Sequence, residues 1–242
     1  MNRHGFQRVE TLPDSSWRTL YAVGSVLALL YVIMISVPLV LLFAAPQPPP
    51  AGGAAILEYI ATHKLVYLTE LVCFVGLSVP ALGVFLAISV SLKEVSKSVA
   101  ALGGLIGVVS EVLALALGAS PQSLSGGLIY LSDQYLTAGA AQRIALAGAA
   151  EGFLATANAV SSAGILTALG ILVLSLCMAR GVFHVGVAYL GIAAGAIGMI
   201  FEAIRPQIGA LYGLYGLLLP AWFVAVGLKL YKLGFRGQDA TT

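Results

Sequence analysis

A few ionisable side chains are set inside long apolar runs of this 242-residue chain, and they are the residues best placed for chemistry. Glu70, Glu111, Glu151, Glu202 and Arg205 interrupt stretches that otherwise carry almost no charge. A charge within such a run is costly in lipid, so it faces a protein interior and takes a partner, a proton or a ligand. Asn158 and Ser162 follow Glu151 at i+7 and i+11, which continues its helical face. Arg205 follows Glu202 at i+3, a spacing that suits an ion pair on one helix. Glu111 has no such neighbour and is the strongest candidate for a ligand, proton or partner-sensing role.

Other chemistries lack their residues. No HExxH, GxSxG, Walker or strand-borne GxGxxG sequence is present. His63 and His184 fall at opposite boundaries and His4 in the tail, so no pair can hold a haem. Ser161 and Ser162 beside Gly164 superficially suit an intramembrane nucleophile, but no His or Lys within a span could act as base. Cys73 and Cys177 form no CxxC and sit in apolar runs as small buried hydrophobes. The expectation is therefore no cofactor, no metal and no catalytic group. A mechanism built on carboxylates alone is the one enzymatic route left open.

The elements that must position these residues follow from composition. The chain is 60% hydrophobic and 9% charged, with a mean hydropathy of +0.99. Soluble domains carry about 25% charged residues, so this chain cannot cover an aqueous surface and lipid is its solvent. That excludes a cytosolic enzyme, a nucleic-acid binder, a coiled coil and a disordered protein. The net charge of +2 is too small to imply an anionic partner.

A span needs roughly 20 mostly apolar residues. The charge-poor runs give six helices, near 20–45, 66–92, 98–119, 152–179, 182–204 and 207–230. The expected fold is an all-α polytopic bundle forming one transmembrane domain over 1–242. Ser120-Pro121 reads as the N-cap and first position of a new segment. With six spans both termini share a side. That side holds Arg3, Arg8, Arg18, Lys93, Lys97, Arg180, Lys229, Lys232 and Arg236, against Lys64, Arg143 and Arg205 opposite. The positive-inside rule makes the first side cytoplasmic and the location a cell membrane. The first span is too long for a signal-peptide core and is kept as a span.

The outer side is the more elaborated. Gly53 to Lys64 places Ile56, Leu57 and Ile60 on one face, as a short interfacial helix would. Ser120 to Ala150 is the longest loop and turns helical and alanine-rich from Thr137. From there the chain reads as one long helix over 137–179 or as a helix bending at Gly148 or Gly152. This side carries six carboxylates (Glu58, Glu70, Glu111, Asp133, Glu151, Glu202) against three cations. One-to-one pairing is impossible. Some carboxylates hold a proton, because desolvation and like charge favour the neutral form, or they bind a cation, or they sit in interfacial water. The last suits Glu58, Asp133 and Glu151.

Gly103 with Gly107, Gly191 with Gly195 (and Gly198 beyond), and Gly209 with Gly213 repeat at helix-packing intervals. Small residues at this spacing let helix backbones approach closely. They serve packing within one bundle or, for Gly191, Gly195 and Gly198, a homodimer. Gly76 and Gly216 each stand four residues before a proline, Pro80 and Pro220, where the lost hydrogen bond should kink the helix.

The chain resembles a prokaryotic six-span membrane family known only as a domain of unknown function. The resemblance rests on the short basic tail before the first span, the helical outer loop before the second and the alanine-rich outer segment before the fourth. It ends on Val185-Gly186-Val187-Ala188-Tyr189-Leu190-Gly191-Ile192-Ala193-Ala194-Gly195 and on Leu219-Pro220-Ala221-Trp222-Phe223. It implies topology and transfers no functional residue. The functional expectation is a non-enzymatic membrane protein with an outward-facing acidic pocket for a small ligand, lipid or protein partner, as an accessory subunit would have. The alternative is a proton- or cation-coupled small-solute carrier. Glu70, Glu111, Asn158, Glu202 and Arg205 are the candidate site residues for either.

Overall fold

The computed structural model describes residues 14–49, 51–117, 125–157 and 161–235. Those residues form helices and connections only. In chain order the helices are α1 (Arg18–Ala44), α2 (Gly53–Thr62), α3 (Lys64–Gly76), α4 (Ser78–Leu92), α5 (Lys97–Leu117) and α6 (Ser125–Thr137). They continue as α7 (Ala140–Ala157), α8 (Ser162–Met178), α9 (Val185–Ala203), α10 (Arg205–Ile208) and α11 (Tyr212–Phe235). Five helical stretches are long and apolar enough to cross a membrane: Ser15–Leu41, Lys64–Leu92, Lys97–Ala116, Val185–Ala203 and Tyr212–Phe235. The chain is thus multi-pass in character. A further apolar helix, α8, has 17 residues.

Three boundaries differ from the hydropathy reading. The segment 152–179 is not one helix: α7 runs through Ala157 and α8 starts afresh at Ser162. Ser161 sets that start. Its backbone is extended and its Oγ accepts a hydrogen bond from the Gly164 amide at 3.0 Å, which satisfies one of the unpaired amides of a helix start. Gly148 and Gly152 lie within α7 without interrupting it. The last span begins at Tyr212 and not near 207, because α10 ends at Gly209, whose φ of 51° turns the chain. The stretch from Lys64 to Leu92 is interrupted at Leu77, three residues before Pro80, whereas Pro220 sits inside an unbroken α11. Ser120-Pro121 and Asn158 fall outside the described residues.

α1, α4, α5, α8, α9 and α11 form a closed ring in which each helix packs on its chain neighbour and α11 returns to α1. Tyr31 and Phe223 stack at 3.7 Å between centroids, and Phe85 and Trp222 fill the centre beside them. Lipid removes the hydrophobic incentive between helices, so close packing must supply the attraction. Glycine makes that possible. A Cβ on Gly170 would meet the backbone of Gly107 where α5 crosses α8, and one on Gly195 would meet the backbone of α8 at Leu172 and Ala168. Gly191 faces Ser175 and Trp222, and Gly198 faces Tyr215. The seam considered for a homodimer is therefore filled by α8 and α11 of the same chain.

At one end of the ring α2, α6 and α7 form a cap with its own core. Ile56, Leu57 and Ile60 are buried there with Tyr67, Leu128, Ala150 and Leu154. The apolar face of α2 is thus covered by protein. Polar contacts fasten the cap: Glu151 accepts from the Gly53 amide at 2.6 Å, Ser132 donates to the Leu57 carbonyl at 2.7 Å, and Lys64 pairs with Asp133 at 2.7 Å. The opposite end has short connections and most of the described basic residues. Arg18 donates to the carbonyls of Gly234 and Phe235 at 2.9 and 3.3 Å, so a cation closes the carboxyl end of α11.

Candidate functional site

Glu111 and Glu202 meet the same face of α8. Thr167 Oγ1 lies 3.2 Å from Glu111 Oε1. One turn earlier, a Cβ on Gly164 would collide with the Glu202 carboxylate. Gly164 and Thr167 are three residues apart, so a single stripe at the amino end of α8 receives a carboxylate from α5 and another from α9. The dipole of the α8 start favours negative charge beside Gly164, in its first turn.

Glu111 is 4% exposed. It is held by hydroxyl groups: Thr167 from α8 and Ser78, the first residue of α4 after the interruption at Leu77. No described cation pairs with it. Thr167 Oγ1 also lies 3.0 Å from Ser110 Oγ and 3.1 Å from the Ala163 carbonyl. It owns one hydrogen and has three acceptors within reach. An ionised Glu111 accepts that hydrogen. A protonated Glu111 donates its own to Thr167 Oγ1, whose hydrogen then passes to Ala163 or Ser110. The same side chains satisfy both forms without moving.

Glu202 is also 4% exposed and is held differently. Tyr212 donates to its Oε1 at 2.5 Å, and Arg205 Nη1 lies 3.4 Å from Oε2. Arg205 Nη2 donates to Tyr212 Oη at 3.1 Å, and its guanidinium covers that ring at 4.6 Å. The i+3 pair read from the sequence is present, with Tyr212 as a third member. Tyr215 stands edge-on to Tyr212 at 5.9 Å.

Glu70 is buried to 4% on α3, and its Oε2 has no hydrogen-bond partner in the protein. It lies eight residues before Ser78, about 12 Å nearer the cap at the helical rise, and so stands apart from the Glu111 pair. Glu58 is exposed, Asp133 is paired with Lys64, and Glu151 caps α2. None of these three enters the site.

Spacing alone missed Ser78, Ser110, Thr167 and Tyr212. Hydroxyls are common in membrane helices, and nothing in the sequence says which of them faces a carboxylate. Ser78 carried a weak signal in its place beside Pro80. The carboxylates are sealed in protein, whereas a shallow apolar notch of about 250 Å³ opens at the other end between Ala22, Val23, Val26, Leu27 and Phe235. Among the described residues no three His, Cys, Asp or Glu side chains are grouped to hold a metal ion. Ser161 is engaged as a helix cap, with no base beside it among its described contacts.

Two groups outside the spans have shifted titration. Asp14 is held well below the usual carboxylate range by hydrogen bonds from Lys93, then Ser16. Burial, and to a lesser extent Glu70, pushes the Tyr59 phenol up; its hydroxyl donates to the Pro46 carbonyl at 2.8 Å. No family model, curated protein or solved structure matches this chain.

Proposed function

We propose that the chain is a non-enzymatic, six-span protein of the cell membrane whose capped, acidic half binds a small ligand at Glu111. Supporting the sixth span, α8 has 17 residues, at the short edge of what crosses a bilayer, and it closes the ring between α5 and α9. Both described ends then lie on one side. Arg18, Lys93, Lys97, Arg180, Lys229 and Lys232 gather there, which makes it the cytoplasmic side. The cap faces outward and is the part available to a lipid or protein partner.

One observation carries the binding reading. Glu111 is a buried carboxyl group held by Thr167 and Ser78 and by no described counter-charge. With no described counter-charge, its negative charge is left for a cationic ligand or a proton to balance. Native mass spectrometry of protein extracted gently from membranes tests this. A stoichiometric small adduct or partner supports the reading, and recovery of the bare chain from every mild extraction overturns it.

The second reading is a proton- or cation-coupled carrier with Glu111 as the coupling carboxylate. The interruption at Leu77 favours it, since it puts Ser78 at a helix break beside Glu111, and broken helices mark coupling sites in carriers. Transport in proteoliposomes that vanishes in Glu111→Gln supports this reading. Transport that survives the change removes it.

A further inference from the structure

The basic end of the ring carries an open site of a different kind. α1 and α11 meet closely there, since a Cβ on Gly234 would strike the Ala22 backbone. Beside that contact lies the notch of about 250 Å³ between Ala22, Val23, Val26, Leu27 and Phe235, and all five residues are apolar. Val23, Val26 and Phe235 are exposed. The α1 wall belongs to a stretch long and apolar enough to cross a membrane, so the notch opens toward lipid.

Arg18 stands over this notch. It precedes Ala22 and Val26 by four and eight residues, which sets all three on one stripe of α1. Its Nε and Nη2 donate to the carbonyls of Gly234 and Phe235, so the guanidinium is fixed at the Phe235 edge. A guanidinium has five N–H groups, and these two bonds leave the others to a ligand. Lys232, three residues before Phe235 on α11, is exposed. The described charges at this end are Arg18, Lys93, Lys97, Arg180, Lys229 and Lys232 against Asp14 and Glu94. Both acids lie against Lys93, and no described carboxylate pairs with Arg18 or Lys232.

We propose that this notch is a site for one anionic phospholipid, with an acyl chain between α1 and α11 and the phosphate on Arg18 and Lys232. The apolar walls suit a hydrocarbon chain and offer nothing to a polar ligand. A chain gains little by leaving other chains, so the selectivity comes from the headgroup. A guanidinium fork matches phosphate oxygens, and the long Lys232 side chain can carry its ammonium to the headgroup level. A zwitterionic lipid has the same phosphate, but its own ammonium cancels the charge and meets a cation-rich surface. Basic pockets between membrane helices favour anionic headgroups for this reason.

The test is native mass spectrometry of the full chain, stripped of lipid and titrated with phosphatidylglycerol or phosphatidylcholine of identical acyl chains. One phosphatidylglycerol should be retained, at least about fivefold above phosphatidylcholine, the effect of one cation near the surface. Lys232→Gln, a change at an exposed position, should reduce that preference severalfold. Val26→Trp fills the notch and keeps every cation, and it should lower phosphatidylglycerol occupancy severalfold. Leu105→Trp, on α5 and as exposed as Val26, should leave occupancy unchanged, as should Glu111→Gln. Equal retention of the two lipids overturns the proposal, as does a preference undiminished in Lys232→Gln. So does full occupancy in folded Val26→Trp, or an equal loss in Leu105→Trp, which would mark lipid spread over the whole surface. Failure of the parent to take up either lipid also overturns it, as when the chain's own ends fill the notch.

Discussion

Thr167 on α8 reaches across to Glu111 on α5 with its hydroxyl oxygen 3.2 Å from the carboxylate, and this contact joins two helices through a group that suits either protonation state. The carboxylate has one more described hydroxyl partner, Ser78. Removing either partner leaves a buried charge-bearing group short of a hydrogen bond.

Thr167→Val should therefore cost about 1–3 kcal/mol of stability, the range for orphaning a buried polar group. Thr167→Ser, which keeps the hydroxyl, should stay within about 1 kcal/mol of the parent. Unfolding in a mild detergent, followed by helical signal against denaturant, measures both. A loss in Thr167→Ser with none in Thr167→Val would mean that methyl packing, and not the hydrogen bond, matters at this position.

Gly164 and Glu202 should be energetically coupled. A methyl group at 164 collides with the carboxylate, so Gly164→Ala should destabilise by about 1–3 kcal/mol, as overpacking does. In a Glu202→Ala background, where the carboxylate is gone, the same change should be close to neutral. A double-mutant cycle reads the coupling directly. Additive effects would show that the two residues do not share the space.

Gly195 should behave as an interior position. A Cβ there meets the backbone of α8, which cannot step aside as a side chain can. Gly195→Leu should reduce folded yield and lower the melting temperature by several degrees or more, and the oligomeric state of the folded fraction should not change. Light scattering in detergent reports the second quantity. A folded variant that merely lost a dimer would return this helix face to an interface between copies.

The basic end gives a pH dependence with a definite sign. Asp14 is depressed in the folded state by Lys93 and Ser16, so its contribution is present above the ordinary aspartate range, about 3.9. It is lost progressively as pH falls below that range, because the unfolded chain then takes up a proton that the folded state excludes. The melting-temperature difference between the parent and Asp14→Asn should be largest near pH 6 and shrink toward pH 3. A difference independent of pH over that interval would mean the Lys93 contact does not hold in solution.

Much of the fold was legible in the sequence because hydropathy is a one-dimensional property. The runs around 20–45, 98–119 and 182–204 reappear as α1, α5 and α9 within a few residues. The fourth run misled because it is uniformly apolar and helix-forming across 152–179. The break is made by a single capping hydroxyl, Ser161, whose role depends on local backbone geometry. The cap was visible as helical segments, but its separate core was not, since Ile56, Leu57 and Ile60 suit a lipid surface as well as α6 and α7. The site was half legible. Carboxylates in apolar runs stand out in a sequence, so Glu70, Glu111 and Glu202 were found and are all buried. Their partners are hydroxyls brought near by tertiary packing, and among many Ser, Thr and Tyr residues spacing could not select Ser78, Thr167 and Tyr212.

On the proposed reading, Glu111 is the receiving group of a binding site in the acidic half. It is tested most directly by native mass spectra of the parent and Glu111→Gln proteins, extracted side by side from membranes under the same mild conditions. Glutamine keeps the shape and the hydroxyl contacts but carries neither the charge nor the acidic proton. A defined small adduct is expected on the parent, and its loss, at least tenfold in occupancy, from Glu111→Gln with the helical signal unchanged. The same adduct at equal occupancy on both proteins would contradict it.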